Sequence, residues 1–223
     1  MITPDLSTIT QRVAQIRSRI LSAGGENVSL IAVTKSFEAS AMIAAHATGC
    51  NAVGENYAQE LISKIGQVPN KNRLPVHFIG RLQSNKIKSL VNFVDVWQSV
   101  DRISVVEEIA KRCKTIEHRW PAQIMLQVNS TNEPEKGGCE PSEVSILIAK
   151  ASALGLNVIG LMTVGPTNNE PDQTRAAFRL VRKIANDLGL DQVSMGMTGD
   201  MEIAIEEGST SVRIGTALFG ARI

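Results

Sequence analysis

Hydrophobic residues in the first segment of the chain recur every three or four positions, which is the spacing of one helix face. The residues on this face are Leu6, Ile9, Val13, Ile16 and Ile20. Gly24 and Gly25 follow the last of them, and glycine at that place is typical of a helix end. The spacing predicts an amphipathic helix near the N-terminus.

After Gly25 the pattern changes to short apolar runs that alternate with amphipathic helical stretches. The eight runs cover residues 30–33, 51–53, 76–79, 94–97, 123–128, 157–162, 192–195 and 211–214. Short, continuously apolar runs are typical of parallel strands covered on both faces, and these recur at the interval of strand–helix units. The pattern predicts an α/β fold, a single (β/α)8 TIM-like barrel with an extra N-terminal helix, formed by residues 1–223 as one domain. An open doubly wound sheet is the alternative architecture.

Composition and charge exclude several classes of protein. Of the 223 residues, 43% are hydrophobic and 20% are charged, which is typical of a globular protein with a sizeable core. The formal net charge is +1, so no overall field attracts the chain to nucleic acid or to an anionic membrane. No stretch reaches the ~18 apolar residues of a membrane span, and the N-terminus carries an acid, Asp5, where a secretory signal is basic. We expect a cytoplasmic protein that binds neither nucleic acid nor membranes.

The cysteines and histidines give no sign of a metal site. Cys50, Cys113 and Cys139 are widely spaced, without a CxxC motif and without a histidine at a metal-ligand interval. We expect reduced thiols and no bound metal. His46 and His118 are isolated, and we expect each on the surface or packed against a helix.

The candidate chemistry lies directly after the strand runs, because the carboxyl ends of the strands carry the functional face of such a barrel. Lys35 follows the first apolar run, so its amine is expected at a partly desolvated barrel mouth. Desolvation lowers the pKa of a lysine and favours the neutral amine that forms Schiff bases with aldehydes. The alternative is a lysine that extends to solvent from the strand end or pairs with Glu55.

A candidate phosphate site follows the seventh and eighth runs. The spacing predicts a short helix that begins near Asp200 and ends at Gly208, and such a helix start offers unpaired N–H groups to an anion. The Thr198 hydroxyl is an added donor. After the eighth run, Gly215 allows the backbone to approach an anion, and Thr216 can donate again. Phosphate binding at this place is recurrent in barrels, and two ordinary turns are the alternative.

Three further features have two interpretations each. Arg213 lies within the eighth run, where it either bridges carboxylates or serves a cofactor. His77, in the third run, is either a polar residue of the barrel interior or a site residue. Residues 132–138, NEPEKGG, are either a mobile flap over the barrel mouth or a plain surface loop.

Six ordered motifs, spread over nearly the whole chain, resemble the YggS/PROSC-type pyridoxal-phosphate homeostasis proteins. The motifs are LIAVTK, AVGENYAQE, HFIGRLQSNK, GLMTVGP, SMGMTGDMEIAI and VRIGTALFGAR. Long motifs in a fixed order are far more specific than a single short pattern. The family is similar to the barrel domain of alanine racemase, a fold-type III scaffold for pyridoxal 5'-phosphate.

The resemblance implies a cofactor, pyridoxal 5'-phosphate, and a role for each matching residue. It makes Lys35 the lysine that forms the Schiff base and places Asn56 near the ring. It assigns the phosphate to Thr198, Gly215 and Thr216 together with the Met197 backbone, and it makes Arg213 face the pyridine nitrogen. One departure is that many relatives have Ser-Asp-Asp where this chain has Thr-Gly-Asp from Thr198, which puts a carboxylate role at Gly199 in doubt.

The resemblance implies a protein that buffers or delivers the cofactor to pyridoxal-phosphate-dependent apo-enzymes, in vitamin B6 and amino or keto acid homeostasis. A guanidinium facing the pyridine nitrogen disfavours its protonation and weakens the ring as an electron sink. In alanine racemase a second acid/base is a tyrosine of an added β domain, whereas the one tyrosine here is Tyr57, at the start of a helix. We therefore expect little or no catalysis and, without that dimer-forming domain, a monomer. The alternatives are a pyridoxal-phosphate-dependent racemase-like enzyme and a Schiff-base aldolase or sugar-phosphate enzyme.

Overall fold

The computed structural model describes residues 5–117 and 120–220, so His118 lies outside the described residues. The helices are α1 (Leu6–Ser22), α2 (Ala39–Ala47), α3 (Ala58–Ile65), α4 (Ser84–Leu90), α5 (Ile103–Cys113), α6 (Val144–Ala153), α7 (Pro171–Asp187), α8 (Met201–Glu206) and α9 (Thr216–Phe219). The strands are β1 (Ser29–Val33), β2 (Ala52–Glu55), β3 (Val76–Phe78), β4 (Val96–Val100), β5 (Gln123–Gln127), β6 (Asn157–Met162), β7 (Gln192–Ser194) and β8 (Ser211–Ile214).

The eight strands form a closed parallel barrel in sequence order. β1 pairs with β2, where Ile31 lies opposite Ala52, and also with β8, where Ile31 lies opposite Arg213. This double pairing of β1 closes the sheet, which confirms the barrel and excludes the open doubly wound alternative. The helices cover the outer face of the strands, so the apolar runs are buried on both sides.

The N-terminal helix α1 is confirmed. Asp5 caps it, since the Asp5 side chain accepts a hydrogen bond of 2.9 Å from the Thr8 N–H. Ile9, Val13, Ile16 and Ile20 are buried, whereas Leu6, in the first turn, is 52% exposed. The helix packs on α8 and α9, where the Arg12 guanidinium donates to the Leu218 carbonyl at 2.9 Å and Arg19 pairs with Glu202 at 2.7 Å.

Strand β4 differs most from its predicted position. The prediction placed the strand at 94–97, with Ser99 and Val100 beyond its end, but the strand runs from Val96 to Val100. Gln98 and Ser99 lie inside it and are fully buried. These two polar residues interrupt the apolar run in the sequence. They can be buried in the strand because each has a hydrogen-bond partner inside the protein: Gln98 bonds to His77, and the Ser99 hydroxyl donates to the Gly80 carbonyl.

Candidate functional site

A cavity of about 410 Å³ opens at the carboxyl end of the barrel. Its lining includes all seven residues that the sequence pointed to, namely Lys35, Asn56, Met197, Thr198, Arg213, Gly215 and Thr216. Five apolar or small residues and Asp200 complete much of the wall, so polar groups from β1, β2, β7 and β8 line one cavity. We call it the barrel-mouth cavity.

Side chains of helix α3 hold the turn that carries Lys35 in place through hydrogen bonds. Lys64 Nζ donates to the Thr34 carbonyl at 2.8 Å and to the Phe37 carbonyl at 3.2 Å, so it bonds to the backbone on both sides of Lys35. Ser36 between them has a left-handed φ of 68°, a conformation that costs free energy for residues other than glycine. Its N–H donates to a carboxylate of α3, Glu60 Oε2, at 2.7 Å.

Lys64 also forms a buried ion pair with Glu55, at 2.6 Å between Nζ and Oε1. The Thr34 hydroxyl donates to the same oxygen at 2.6 Å. Burial raises the pKa of Glu55, and the Lys64 ammonium opposes that rise. Glu55 thus forms an ion pair with Lys64 and a hydrogen bond with Thr34, whereas the alternative considered from the sequence was an ion pair with Lys35. Sequence reasoning missed Lys64, although a lysine inside the apolar stripe of α3 was an available signal.

Arg213 is held by two neutral oxygens and lies with its side chain at the floor of the barrel-mouth cavity. One terminal nitrogen donates to the Ser194 hydroxyl at 2.8 Å and the other to the Thr163 carbonyl at 2.7 Å. Burial lowers the pKa of Arg213 to about 10, opposed by the Asp200 carboxylate. The guanidinium therefore stays charged at neutral pH. The bridging of carboxylates considered from the sequence is not observed among the described residues.

A chain of side-chain hydrogen bonds runs from Arg213 through the barrel interior. The Ser194 hydroxyl donates to Gln98 Oε1 at 2.8 Å, and Gln98 Nε2 lies 2.6 Å from His77 Nδ1. His77 lines a different cavity, at the amino ends of the strands. Burial lowers the pKa of His77 to about 4, opposed by Asp95. His77 is therefore a polar residue of the barrel interior, which decides between the two interpretations of it.

The turn between β7 and α8 is organised by Asp200. The Met197 N–H donates to Asp200 Oδ1 at 2.6 Å, so this backbone donor is already used within the protein. Asp200 Oδ2 is buried without a hydrogen-bond partner among the described residues, and burial raises the pKa of Asp200. Thr198 is half-buried and Thr216 is exposed, with both facing the cavity. The predicted helix is present as α8, and Gly208 follows its end with a φ of 88°.

The donors and acceptors of the barrel-mouth cavity fit a phosphate-bearing aldehyde. Thr198 and Thr216 offer hydroxyl donors, and Lys35 offers an amine. Gly215 brings its turn against β1: a Cβ there would lie 3.3 Å from the Val33 carbonyl oxygen. Asn56 Oδ1 is buried without a partner among the described residues. A cavity with one amine, two hydroxyls and an unpartnered amide oxygen suits a ligand that is polar at both ends.

The loop 132–138 is bonded to its surroundings. Gln127 Nε2 donates to the Lys136 carbonyl at 2.9 Å, and Lys136 pairs with Glu133 at 2.9 Å. Glu133 also accepts from the Thr167 N–H at 3.1 Å. These bonds tie the loop to the segment after β6, which favours the surface-loop interpretation over a mobile flap.

Metal ligands do not cluster in the described part of the chain. No group of three His, Cys, Asp or Glu side chains comes together within 5–117 and 120–220. Cys50, Cys113 and Cys139 are all buried, and none of them forms a disulfide there. His46, in the last turn of α2, has its Nδ1 3.5 Å from Asn72 Nδ2. Within 5–117 and 120–220, no helix is both long and apolar enough to cross a membrane.

Comparison with known proteins identifies the family. The model of the alanine racemase N-terminal domain matches residues 5–223. A pyridoxal phosphate homeostasis protein of Pseudomonas aeruginosa is 39% identical over 228 residues, covering 97% of each chain. The structure of PipY of Synechococcus elongatus with PLP bound is 33% identical, with a TM-score of 0.82 over 95% of this chain and all of that chain.

An alanine racemase of Clostridium difficile shares the fold alone, with 13% identity and a TM-score of 0.76. This chain covers 57% of that racemase, whereas it covers nearly the whole of the P. aeruginosa and S. elongatus proteins. The full-length similarity therefore lies with the homeostasis proteins. The chain, which matches the alanine racemase N-terminal domain, belongs to the family of pyridoxal phosphate homeostasis proteins.

Proposed function

We propose that the protein binds pyridoxal 5'-phosphate in the barrel-mouth cavity and buffers or delivers it, in support of vitamin B6 and amino or keto acid homeostasis. One observation carries the proposal. A single cavity gathers an amine, a buried guanidinium and two hydroxyls on the elements where a phosphate-bearing aldehyde needs them. The name of the P. aeruginosa relative and the PLP bound to PipY point to the same ligand.

Each residue of the cavity then has a task in holding the cofactor. Lys35 Nζ would hold the cofactor through its aldehyde carbon, and the Lys35 turn is kept in place by Lys64. Thr198, Gly215 and Thr216 bind the phosphate. The Met197 N–H would first have to leave Asp200 before it could join them, so we assign the larger share to the two hydroxyls. When bound, the cofactor supplies a reactive aldehyde and an electron-withdrawing ring.

Arg213 and Asn56 act at the ring. The guanidinium of Arg213 remains charged and is anchored on two oxygens, so it would keep a pyridine nitrogen placed against it from taking a proton. That weakens the ring as an electron sink. Asn56 Oδ1 lacks a donor among the described residues and would accept from the ring hydroxyl.

The acid/base groups of the cavity support a role with little or no turnover. The titratable side chains in its lining are Lys35, Asp200 and Arg213 among the described residues. Asp200 is buried and bonded to the Met197 N–H, which occupies one of its oxygens. Tyr57 is 51% exposed and lies outside the cavity lining. A proton shuttle on the second face of a substrate, commonly worth about 10²- to 10⁴-fold in rate, would therefore fall to Asp200 among the described residues, and this carboxylate already holds the Met197 N–H.

We further propose that the protein acts as a cytoplasmic monomer that passes the cofactor to pyridoxal-phosphate-dependent apo-enzymes. The net charge of +1 gives no general attraction to nucleic acid or membranes. Holo-protein mixed with the apo form of such an enzyme should restore its activity, and gel filtration should give one chain per particle. Failure to restore activity at equimolar holo-protein would contradict delivery, and a dimer in gel filtration would contradict the monomer.

The central experiment is reconstitution with pyridoxal 5'-phosphate, followed by borohydride reduction and peptide mapping. We expect a visible absorption band that borohydride abolishes and a pyridoxyl group on Lys35. A group found mainly on another lysine, such as Lys86, would refute the assignment. In a second assay, holo-protein is incubated with a panel of amino acids in heavy water. Exchange of α-protons or product formation at roughly 1 per second or faster would instead support the racemase-like alternative.

A further inference from the structure

Another cavity lies beside the barrel-mouth cavity, on the far side of Asn56. It has a volume of about 400 Å³ and lies between the start of α3, the turn after β3 and helix α4. Its polar lining residues are Asn56, Tyr57, Gln59, Arg81, Gln83 and Lys86. Among the described residues Asn56 alone lines both cavities, so the two spaces share one wall. We call this cavity the Arg81–Lys86 groove.

The groove carries two positive charges and no carboxylate in its lining. Arg81 is exposed and Lys86 is half-buried, and neither side chain bonds to another residue in the described part of the chain. The acids of the flanking elements are already used: Glu60 accepts a backbone N–H of the Lys35 turn, and Asp101 pairs with the arginine next to it. The positive potential of the groove is therefore not neutralised from within.

The backbone around the groove is fixed by close packing. A Cβ at Gly80 would lie 2.1 Å from the Asn56 carbonyl oxygen, so only glycine lets these two turns meet. The Ser99 hydroxyl donates to the Gly80 carbonyl, and Arg102 donates to the Leu82 carbonyl at 2.6 Å. The turn that carries Arg81 is thus held on both sides. A ligand would meet a preformed backbone, which reduces the ordering cost of binding.

We propose that the Arg81–Lys86 groove is a second ligand site, for a small molecule that carries a phosphate or carboxylate group. The guanidinium of Arg81 presents paired N–H donors that match such an oxyanion, and Lys86 adds a mobile point charge. The Gln83 amide and the Tyr57 hydroxyl are neutral donors for further oxygens of the ligand. Its volume lies in the range of small-molecule sites. The site rests on the groove's own residues and not on the identity of the cofactor.

Calorimetric titration of holo-protein with inorganic phosphate, and separately with succinate, tests this site. The bound cofactor occupies the barrel-mouth cavity, so either probe reports on the groove. We expect saturable binding of at least one probe, with one site per chain. The Arg81→Gln/Lys86→Gln double variant should bind at least tenfold more weakly. The control Lys88→Gln removes one charge from the same helix outside the groove and should bind as the wild type does.

The two probes distinguish the two sources of an oxyanion, since a preference for phosphate indicates a phosphate ester and a preference for succinate a carboxylic acid. No saturable binding of either probe, or an equal loss in the control, overturns the proposal. If the double variant fails to fold, Arg81→Gln alone, at an exposed position, should still weaken binding severalfold. A chain that takes up no cofactor refutes the proposed function instead, and the same variants then test the groove in the cofactor-free protein.

Discussion

Replacement of Lys64 by methionine tests the clamp behind Lys35. Methionine keeps the length of the side chain but removes the charge and the three donated hydrogen bonds. The side chain of Glu55 is fully buried and that of Lys64 is 5% exposed, so the loss of the ammonium leaves a buried carboxylate without its cation. Breaking such a pair costs about 3–5 kcal/mol, which is a large share of the stability of an ordinary domain.

Urea unfolding gives the free energy, and we expect Lys64→Met to lose about 4 kcal/mol while Lys183→Met loses less than about 0.5 kcal/mol. Lys183 is the matched control because its ion pair with Asp187 is exposed. The Glu55→Gln/Lys64→Met double variant should recover about half the loss, since a neutral amide needs no cation. The Lys64→Met protein should also retain the cofactor less well, because the Lys35 turn loses two anchors.

The pH dependence of the Lys64→Met variant has a definite sign. Burial already raises the pKa of Glu55, and removal of the ammonium raises it further. The folded variant then holds a proton that the unfolded chain has lost, so its unfolding free energy falls as pH rises above the ordinary pKa of a glutamate. The penalty should be larger at pH 8 than at pH 5. A loss below about 1 kcal/mol, or a double variant as unstable as Lys64→Met, would refute the reasoning.

Three further predictions concern other parts of the barrel. Thr198→Ala and Thr216→Ala should each weaken cofactor retention about 10- to 100-fold without unfolding, by the loss of a hydrogen bond to a charged group; unchanged dialysis half-lives would contradict this. Because the pKa of His77 is lowered from 6.5 to about 4, the unfolded chain binds a proton first, and stability should fall by about 3 kcal/mol as pH drops through this window; in His77→Gln this part of the pH dependence should vanish. Gly80→Ala should destabilise the chain by about 3 kcal/mol, the upper end of the usual cost of overpacking. Gly66→Ala, with open space around its Cβ, should be neutral within about 1 kcal/mol in thermal unfolding.

The fold was predictable because the strands of a parallel barrel are covered on both faces and appear in the sequence as short apolar runs. The runs at 157–162 and 211–214 coincide with β6 and β8. The prediction was wrong where the barrel interior is polar, since Gln98 and Ser99 broke the run of β4. The local sequence could not predict the true extent of β4, because Ser194, a hydrogen-bond partner of the buried Gln98, is 96 residues away along the chain.

The candidate site was predictable only in part. Lys35, Thr198 and Thr216 follow strands, so their place at the barrel mouth came from the topology. The residues that hold these side chains in place could not be predicted from the topology. Lys64 lies 30 residues after the Thr34 carbonyl that it binds, and its position in the apolar stripe of α3 indicates burial without indicating which group it binds. Motifs identify the groups that face a ligand, whereas the structure identifies those that fix them.

The hydrogen-bond chain from Arg213 to His77 has a fixed polarity. A guanidinium can only donate, so the Ser194 oxygen accepts from it and its hydroxyl proton turns toward Gln98 Oε1. The Gln98 amide must then donate to His77 Nδ1, which leaves the imidazole proton on Nε2. A proton added at His77 Nδ1 would point at the Gln98 N–H group. Protonation of this nitrogen would therefore require the Gln98 amide to rotate and present its oxygen. The charge at one end of the barrel thus selects the tautomer at the other.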